Sequence, residues 1–123
     1  GAGRAHIGWQ LMHIGAAEEL FASERIPGTP PDDAETVARF RGGSTPDDDI
    51  PSVDDIRQWL ETSRERLLGV ISQFSDDDLD TVPAPMQERG WTLGTILQVL
   101  AWHEPHHQGQ AHMTLNLWKA QHV

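Results

Sequence analysis

The sequence predicts an all-α fold, a helical bundle of three long helices and one short helix. Two observations carry this prediction. Apolar residues recur at steps of three and four along three long segments, and capping or helix-ending residues stand at the ends of those segments. No stretch has the alternating pattern of a half-buried β-strand. With 123 residues the chain is long enough for one hydrophobic core and too short for two, so we expect one domain over residues 1–123.

Residues 1–3 are expected to be unstructured, and the first helix is predicted from about Arg4 to Arg25. Its apolar face consists of Ile7, Leu11, Ile14, Leu20 and Phe21. Pro27 and Gly28 end it. Asp32 or Asp33 is predicted to cap a short helix that runs through Phe40 and ends at Gly42-Gly43.

A polar linker over residues 44–51 leads to the third helix, which Ser52 is predicted to cap. Its core-facing positions are predicted to be Val53, Ile56, Leu60, Leu67, Val70, Ile71 and Phe74. Thr92 is predicted to cap the last helix, which extends to about Trp118 or beyond. Its buried seam is predicted to be Leu93, Ile96, Leu100, His103, His107, Gln110, Thr114 and Leu117. Pro105 within this helix predicts a kink or bulge.

Composition excludes several classes of function. The net charge is −10, with acidic runs at residues 47–49 and 76–78, and such a surface repels nucleic acid. The chain has no cysteine, which rules out disulfides and thiolate metal sites and favours a cytoplasmic location. No apolar run approaches the roughly 20 residues of a membrane-spanning helix, and no signal peptide is recognisable. We therefore expect neither nucleic acid nor membrane as a partner.

His103 and His107 are the first candidate site residues. They stand four apart on the last predicted helix, so both side chains lie on one face, one turn apart. Imidazole is a ligand for Zn, Ni, Fe and Cu. Two histidines in a core seam are costly unless something satisfies their ring nitrogens, and that cost favours a metal site over a pair of ordinary buried histidines.

His13 is the best third ligand that the sequence offers. It is predicted to face the bundle, and it can meet the other two rings if the first and last helices pack side by side. Three imidazoles would leave coordination positions open, as in catalytic metal sites. On its own, His13 also fits an ordinary buried histidine. His106 is predicted to point elsewhere on the helix, His112 is predicted to be on the surface, and His122 is terminal.

The string His103-Glu104-Pro105-His106-His107 also matches the His-Glu-x-x-His pattern of zinc proteases. Proline at its centre and the lack of any predicted strand argue against a protease.

The segment Trp102–Gln110 resembles the HE-x-HH-x-GQ signature of the DinB-like superfamily. Residues 7–14, 40–43 and 91–97 are similar to other parts of that family. The resemblance implies a DinB-like bundle with a divalent-metal site (Zn, Ni, Fe or Mn) whose ligands would be His13, His103 and His107. It also implies that a first helix of the usual bundle is lacking here. A bundle without that wall would expose apolar surface, so we expect a homodimer.

The function that the resemblance implies is that of a metal-dependent thiol transferase, isomerase or hydrolase, with a small molecule or low-molecular-weight thiol as substrate. Glu104, His106 and Gln110 flank the predicted ligands and are candidates for orienting them or for handling protons. Trp9 and Trp102 are candidates for walls of a pocket. The alternative is a dimeric helical bundle that binds a metal or small ligand without catalysis, and a third possibility is that the histidines bind nothing.

Overall fold

A computed structural model describes residues 6–122 as an all-α bundle. The predicted three long helices and one short helix are confirmed, and the described range contains no strand. Predictions for residues 1–5 lie outside it. The helices are α1 (Ile7–Leu20), α2 (Ala34–Phe40), α3 (Val53–Ile71) and α4 (Leu93–Gln121). A π-helical turn, Phe21–Arg25, continues α1, and two 3-10 turns, Asp76–Asp78 and Ala84–Met86, connect α3 to α4.

The predicted N-caps of the later helices are confirmed. Asp33 Oδ1 accepts the backbone N–H of Thr36 at 3.0 Å, and the Ser52 and Thr92 hydroxyls each accept the N–H three residues on, at 3.1 Å. The first helix begins later than predicted, because His6 is its non-helical N-cap and accepts the N–H of Trp9 through Nδ1 at 3.0 Å.

Helix α1 is the central helix of the bundle and packs against α2, α3 and α4. Nearly every residue from Trp9 onward in α1 is buried, whereas the sequence predicted one apolar face. The single-face prediction was wrong because the small residues Gly15, Ala16 and Ala17 let neighbouring elements approach on several sides. The Trp59 indole of α3 lies against Gly15 and donates its N–H to the carbonyl oxygen of Met12 at 3.0 Å.

Two predicted core positions on α3 and two on α4 are exposed instead. Val53 and Phe74 are 64% and 38% exposed because Val53 begins α3 and Phe74 lies beyond its end. On α4, Gln110 and Leu117 are exposed. Within the described residues α1 is the main helix that packs against α4, so the opposite side of α4 is left in solvent.

Helix α4 stays α-helical through Pro105, so it has no bulge there, and the kink that was the other expectation stays a prediction. Proline lacks the N–H that would bond to the carbonyl of Ala101, and Ala101 is exposed, so water can satisfy that carbonyl. The irregular turn lies instead at Phe21–Arg25. No helix between residues 6 and 122 combines the length and the apolar character needed to cross a membrane.

The contact between Gly15 and Trp59 predicts opposite effects for two glycine substitutions. A Cβ at position 15 would lie 2.2 Å from Trp59 Nε1, so we expect Gly15→Ala to lower the free energy of unfolding by about 1–3 kcal/mol. Gly69, on α3, has open space around it, and Gly69→Ala is expected to raise that free energy by about 0.4–1 kcal/mol. Urea unfolding measures both; equal effects would contradict the central packing of α1.

Candidate metal centre

Three imidazole rings meet where α1 and α4 pack together. His103 Nε2 lies 3.2 Å from His13 Nε2 and 3.1 Å from His107 Nε2. The three ligand nitrogens all lie within 4.8 Å of one another. The structure thus brings together the three histidines that the sequence singled out, and their role as metal ligands stays a prediction.

The antiparallel course of α1 and α4 aligns these side chains. His103 and His107 are one turn apart on α4, as their spacing predicted. On α1, His13 lies opposite His103, and Gln10, one turn earlier, reaches His107. His13 is buried, whereas His103 and His107 are half-buried. Their shared face therefore lies at the edge of the core, within reach of a small molecule.

His13 is oriented by the backbone at the end of α2. Its Nδ1 lies 2.7 Å from the carbonyl oxygen of Phe40, and the Trp9 ring stacks on it with 4.8 Å between centroids and 10° between planes. A carbonyl oxygen can only accept, so the proton of the neutral ring is on Nδ1. The Nε2 lone pair of His13 therefore faces the other two histidines.

His107 is oriented by two side-chain amides. Its Nδ1 lies 2.5 Å from Gln10 Oε1 and 2.8 Å from Gln110 Oε1, and donation to these oxygens leaves a lone pair on its Nε2 as well. His103 Nε2 faces both lone pairs but carries at most one proton. A cation at the centre would satisfy all three nitrogens at once.

The two nitrogen–nitrogen separations that involve His103 fit a single transition-metal ion, and the remaining pair lies within 4.8 Å. With metal–nitrogen bonds of about 2.0–2.1 Å, neighbouring ligands are roughly 2.9 Å apart in octahedral and 3.4 Å apart in tetrahedral geometry. The observed 3.1 and 3.2 Å fall between these values. Each of two rings also has an oxygen acceptor on Nδ1, the usual arrangement around metal-bound histidine. The group can therefore hold a metal ion, with positions left for other ligands.

Burial favours the neutral, metal-binding form of these rings. Burial is the largest cause that lowers the pKa of His103 to about 4, followed by the charges of His107 and His13. Burial likewise lowers the pKa of His107 to about 4, and it lowers the pKa of His13. All three rings are neutral at pH 7, so an ion would not have to displace protons from them.

A cavity of about 210 Å³ adjoins two of the three rings. His13 and His103 line it, and so does Arg25 from the π-helical turn. The remaining wall is mostly apolar and comprises Ala17, Leu20, Phe21, Gly42, Trp91 and Val99. A small molecule in this cavity would lie directly beside the histidine cluster.

The other candidate residues are placed differently from one another. Gln110 contacts His107, as described. His106 stacks on Trp102 at 4.4 Å, and its ring lies edge-on to His107 at 5.0 Å. Glu104 instead contacts Arg64 and Gln108.

Of the two tryptophans predicted to form pocket walls, only Trp9 lies beside the three histidines. Trp9 is buried against His13, whereas Trp102 is exposed and does not line the cavity beside the rings. His112 is exposed, as predicted, and His122, which follows the end of α4, is exposed as well.

Sequence reasoning missed three groups at the site: Gln10, the Phe40 carbonyl and Arg25. Gln10 stands three residues before His13 on the same helix, so its spacing was an available signal. The Phe40 carbonyl arrives by the path of the chain after α2, and Arg25 by the π-helical turn. No residue pattern marks either of these.

Comparison with known proteins identifies one family. The sequence profile of a family described as the DinB superfamily matches residues 1–111. No curated protein matches the chain, and no solved structure matches it.

The lowered histidine pKa values predict how the metal-free protein responds to acid. In the unfolded chain these rings take up protons near the ordinary value of 6.5, whereas folded His103 and His107 resist protonation down to about pH 4. The unfolded state then binds more protons, so the free energy of unfolding should fall as the pH drops from 6.5 to 4.

Urea unfolding between pH 4 and 7 measures this slope, with chelator present. His103→Gln should make the slope shallower, whereas His112→Gln, an exposed histidine on the same helix, should leave it unchanged. An identical slope in wild type and His103→Gln would contradict the assigned shift.

Proposed function

This chain belongs to the DinB superfamily, and we propose that it is a metal-dependent enzyme whose ligands are His13, His103 and His107. The observation that carries the proposal is the orientation of the rings. The Nδ1 atoms of His13 and His107 face oxygen acceptors, so their Nε2 lone pairs converge on that of His103. One proton on His103 Nε2 cannot satisfy both of the other lone pairs, whereas one metal ion can satisfy all three nitrogens. Imidazole nitrogens fit Zn, Ni, Fe or Mn.

A divalent ion in this position would supply Lewis acidity toward a substrate oxygen, or lower the pKa of a bound water or thiol. The chain's own residues hold the rings in place. Phe40 and Trp9 fix His13, and Gln10 and Gln110 fix His107. Preorganised ligands of this kind keep the geometry unchanged during reaction.

The reaction class we propose is thiol-dependent S-transfer or isomerisation, or hydrolysis, on a small molecule. The Trp102–Gln110 segment resembles the signature of the DinB-like superfamily, which includes thiol-using transferases and isomerases, and this analogy supports the first two. The cavity beside His13 and His103 supports a small substrate in general, because its volume of about 210 Å³ suits a small molecule next to the rings. A non-catalytic metal binder would use the same histidines, and the two are separated by whether the ion accepts an outside ligand.

We expect chelator-treated protein without a histidine tag to bind one equivalent of Co²⁺, with visible absorption bands from imidazole coordination. His103→Gln should abolish the bands, since it removes the nitrogen that faces the other two. His112→Gln is the matched control, because this exposed histidine is on the same helix and makes no contact with the cluster. Equal loss of cobalt binding in both variants, or none in either, would exclude the proposed ligand set.

Addition of azide or 2-mercaptoethanol to the cobalt protein then tests catalysis against simple binding. New or shifted bands indicate positions that accept an outside ligand, as an enzyme requires. A spectrum that does not respond to either probe favours a closed, non-catalytic site.

We further propose that a second copy of the chain covers an apolar stripe on α4. Trp102, Met113 and Leu117 are 59%, 66% and 62% exposed, and their spacing puts them on one side of the helix. Large apolar side chains exposed along one side of a helix favour association. The same stripe on two copies can pack against itself about a two-fold axis.

Light scattering coupled to size exclusion should give the mass of a dimer at micromolar concentration. Leu117→Glu places a charge in the stripe and is expected to shift the protein to monomer. His112→Glu, at an exposed position that the helix spacing puts on another side of α4, adds a negative charge away from the stripe and should leave the dimer intact. A wild-type monomer over the whole concentration range would rule out the self-association.

A further inference from the structure

Arg25 has no ion-pair partner in the part of the chain that the structure describes. Of the arginines in residues 6–122, most lie within 4.0 Å of a carboxylate oxygen, namely Arg39, Arg41, Arg57, Arg64 and Arg66. Arg25 and Arg89 have no such neighbour in that range. In a chain with a net charge of −10, carboxylates are abundant, so a half-buried guanidinium without one stands out.

The π-helical turn directs Arg25 to the cavity beside the histidines. The turn begins at Phe21, and the guanidinium carbon of Arg25 lies 4.6 Å from the centre of the Phe21 ring. Stacking on the ring covers one face of the planar group and leaves its N–H edges available. Arg25 lines the same cavity as His13 and His103.

Two other arginines act on Arg25. Burial lowers the pKa of the Arg25 guanidinium, the charges of Arg89 and Arg41 lower it further, and the charge of Glu24, the smallest of these causes, opposes them. Arg89 stacks over Trp91, another residue of the cavity wall, at 5.5 Å. Arg41 has a carboxylate neighbour only at 3.8 Å, on Glu24. A partly desolvated cation among like charges is stabilised when an anion binds it.

We propose that this cavity binds a small molecule with a carboxylate. Arg25 selects for the negative charge of the carboxylate, and the histidine cluster binds the opposite end of the same ligand. The inference rests on the proposed function only for the end of the ligand that would bind the metal. The planar guanidinium donates two parallel hydrogen bonds to a carboxylate, a match that no neutral group provides.

The size and lining of the cavity limit the substrate further. Its volume of about 210 Å³ is below the roughly 300–1,000 Å³ of sites for drug-sized ligands. Leu20, Phe21 and Val99 supply apolar lining in the same cavity. The ligand is therefore a short aliphatic acid with a metal-binding group at its far end, and Arg25, as the cation in the lining, suits a monoanion.

The test measures how tightly cobalt-loaded protein binds ω-mercapto acids of two, three and four carbons. Each acid is compared with the corresponding amide. The thiol reports on the metal through its sulfur-to-cobalt absorption, and the acid–amide difference reports on the charge. We expect at least one acid to bind more tightly than its amide, and Arg25→Gln to reduce that preference by roughly tenfold to a hundredfold. Affinity for the amides should not change.

Arg57→Gln is the matched control, because this exposed arginine on α3 does not line the cavity; it should keep the preference. Arg25→Lys keeps the positive charge but lacks the planar guanidinium that donates two parallel hydrogen bonds, so it should keep part of the preference for acids over amides. An acid preference that is unchanged in Arg25→Gln, or equal losses for acid and amide, would overturn the proposal.

A metal-free measurement separates this proposal from the metal site. Butanoate, but not butanamide, should shift the Trp91 indole ¹H–¹⁵N signal in chelator-treated protein, and Arg25→Gln should remove the shift. Failure of cobalt binding with a retained butanoate effect would reject the metal-dependent function alone. Normal cobalt binding with no selectivity for acids would reject the role of Arg25 alone.

Discussion

The structure depends on how the buried polar side chains of the central helix find partners. Gln10, His13, Glu18 and Glu19 are all buried on α1, and a buried polar group without a partner costs several kcal/mol in the worst case. Their partners lie on all the other helices. Gln10 and His13 meet histidines of α4, His13 also meets the end of α2, and the two glutamates meet arginines of α3. Satisfying one helix thus fixes the register of the other three.

The histidine cluster is part of this same arrangement. Glu18 and Glu104 both contact Arg64, which links α1, α3 and α4 beside the turn that carries His103. Burial raises the pKa of Glu18, and Arg64 opposes that rise by hydrogen bonding and by its charge. The same ion pairs raise the pKa of Arg64, and its hydrogen bond to Glu18 is the largest cause. Position and electrostatics therefore both hold α4 where its histidines face α1.

The features that could be predicted from the sequence are those that depend on residues close together in the chain. The caps at Asp33, Ser52 and Thr92 and the shared face of His103 and His107 depend on residues within one turn, and the structure has all of them. His13 required a guess about which helices are neighbours, and packing of α1 against α4 supplied it. Burial of α1 on several sides escaped prediction, because it depends on what packs around Gly15 and Ala16, not on an apolar stripe.

The long reach of α4 has a consequence for how the protein opens. Its first turns are anchored in the core through Leu93 and Ile96, and its middle through the histidines, whereas most residues after His107 are exposed. Segments with few buried contacts unfold locally at low free-energy cost. In a single chain, the C-terminal third of the helix is therefore expected to open locally more easily than the segment from Leu93 to His103, and pairing with a second copy would suppress that opening.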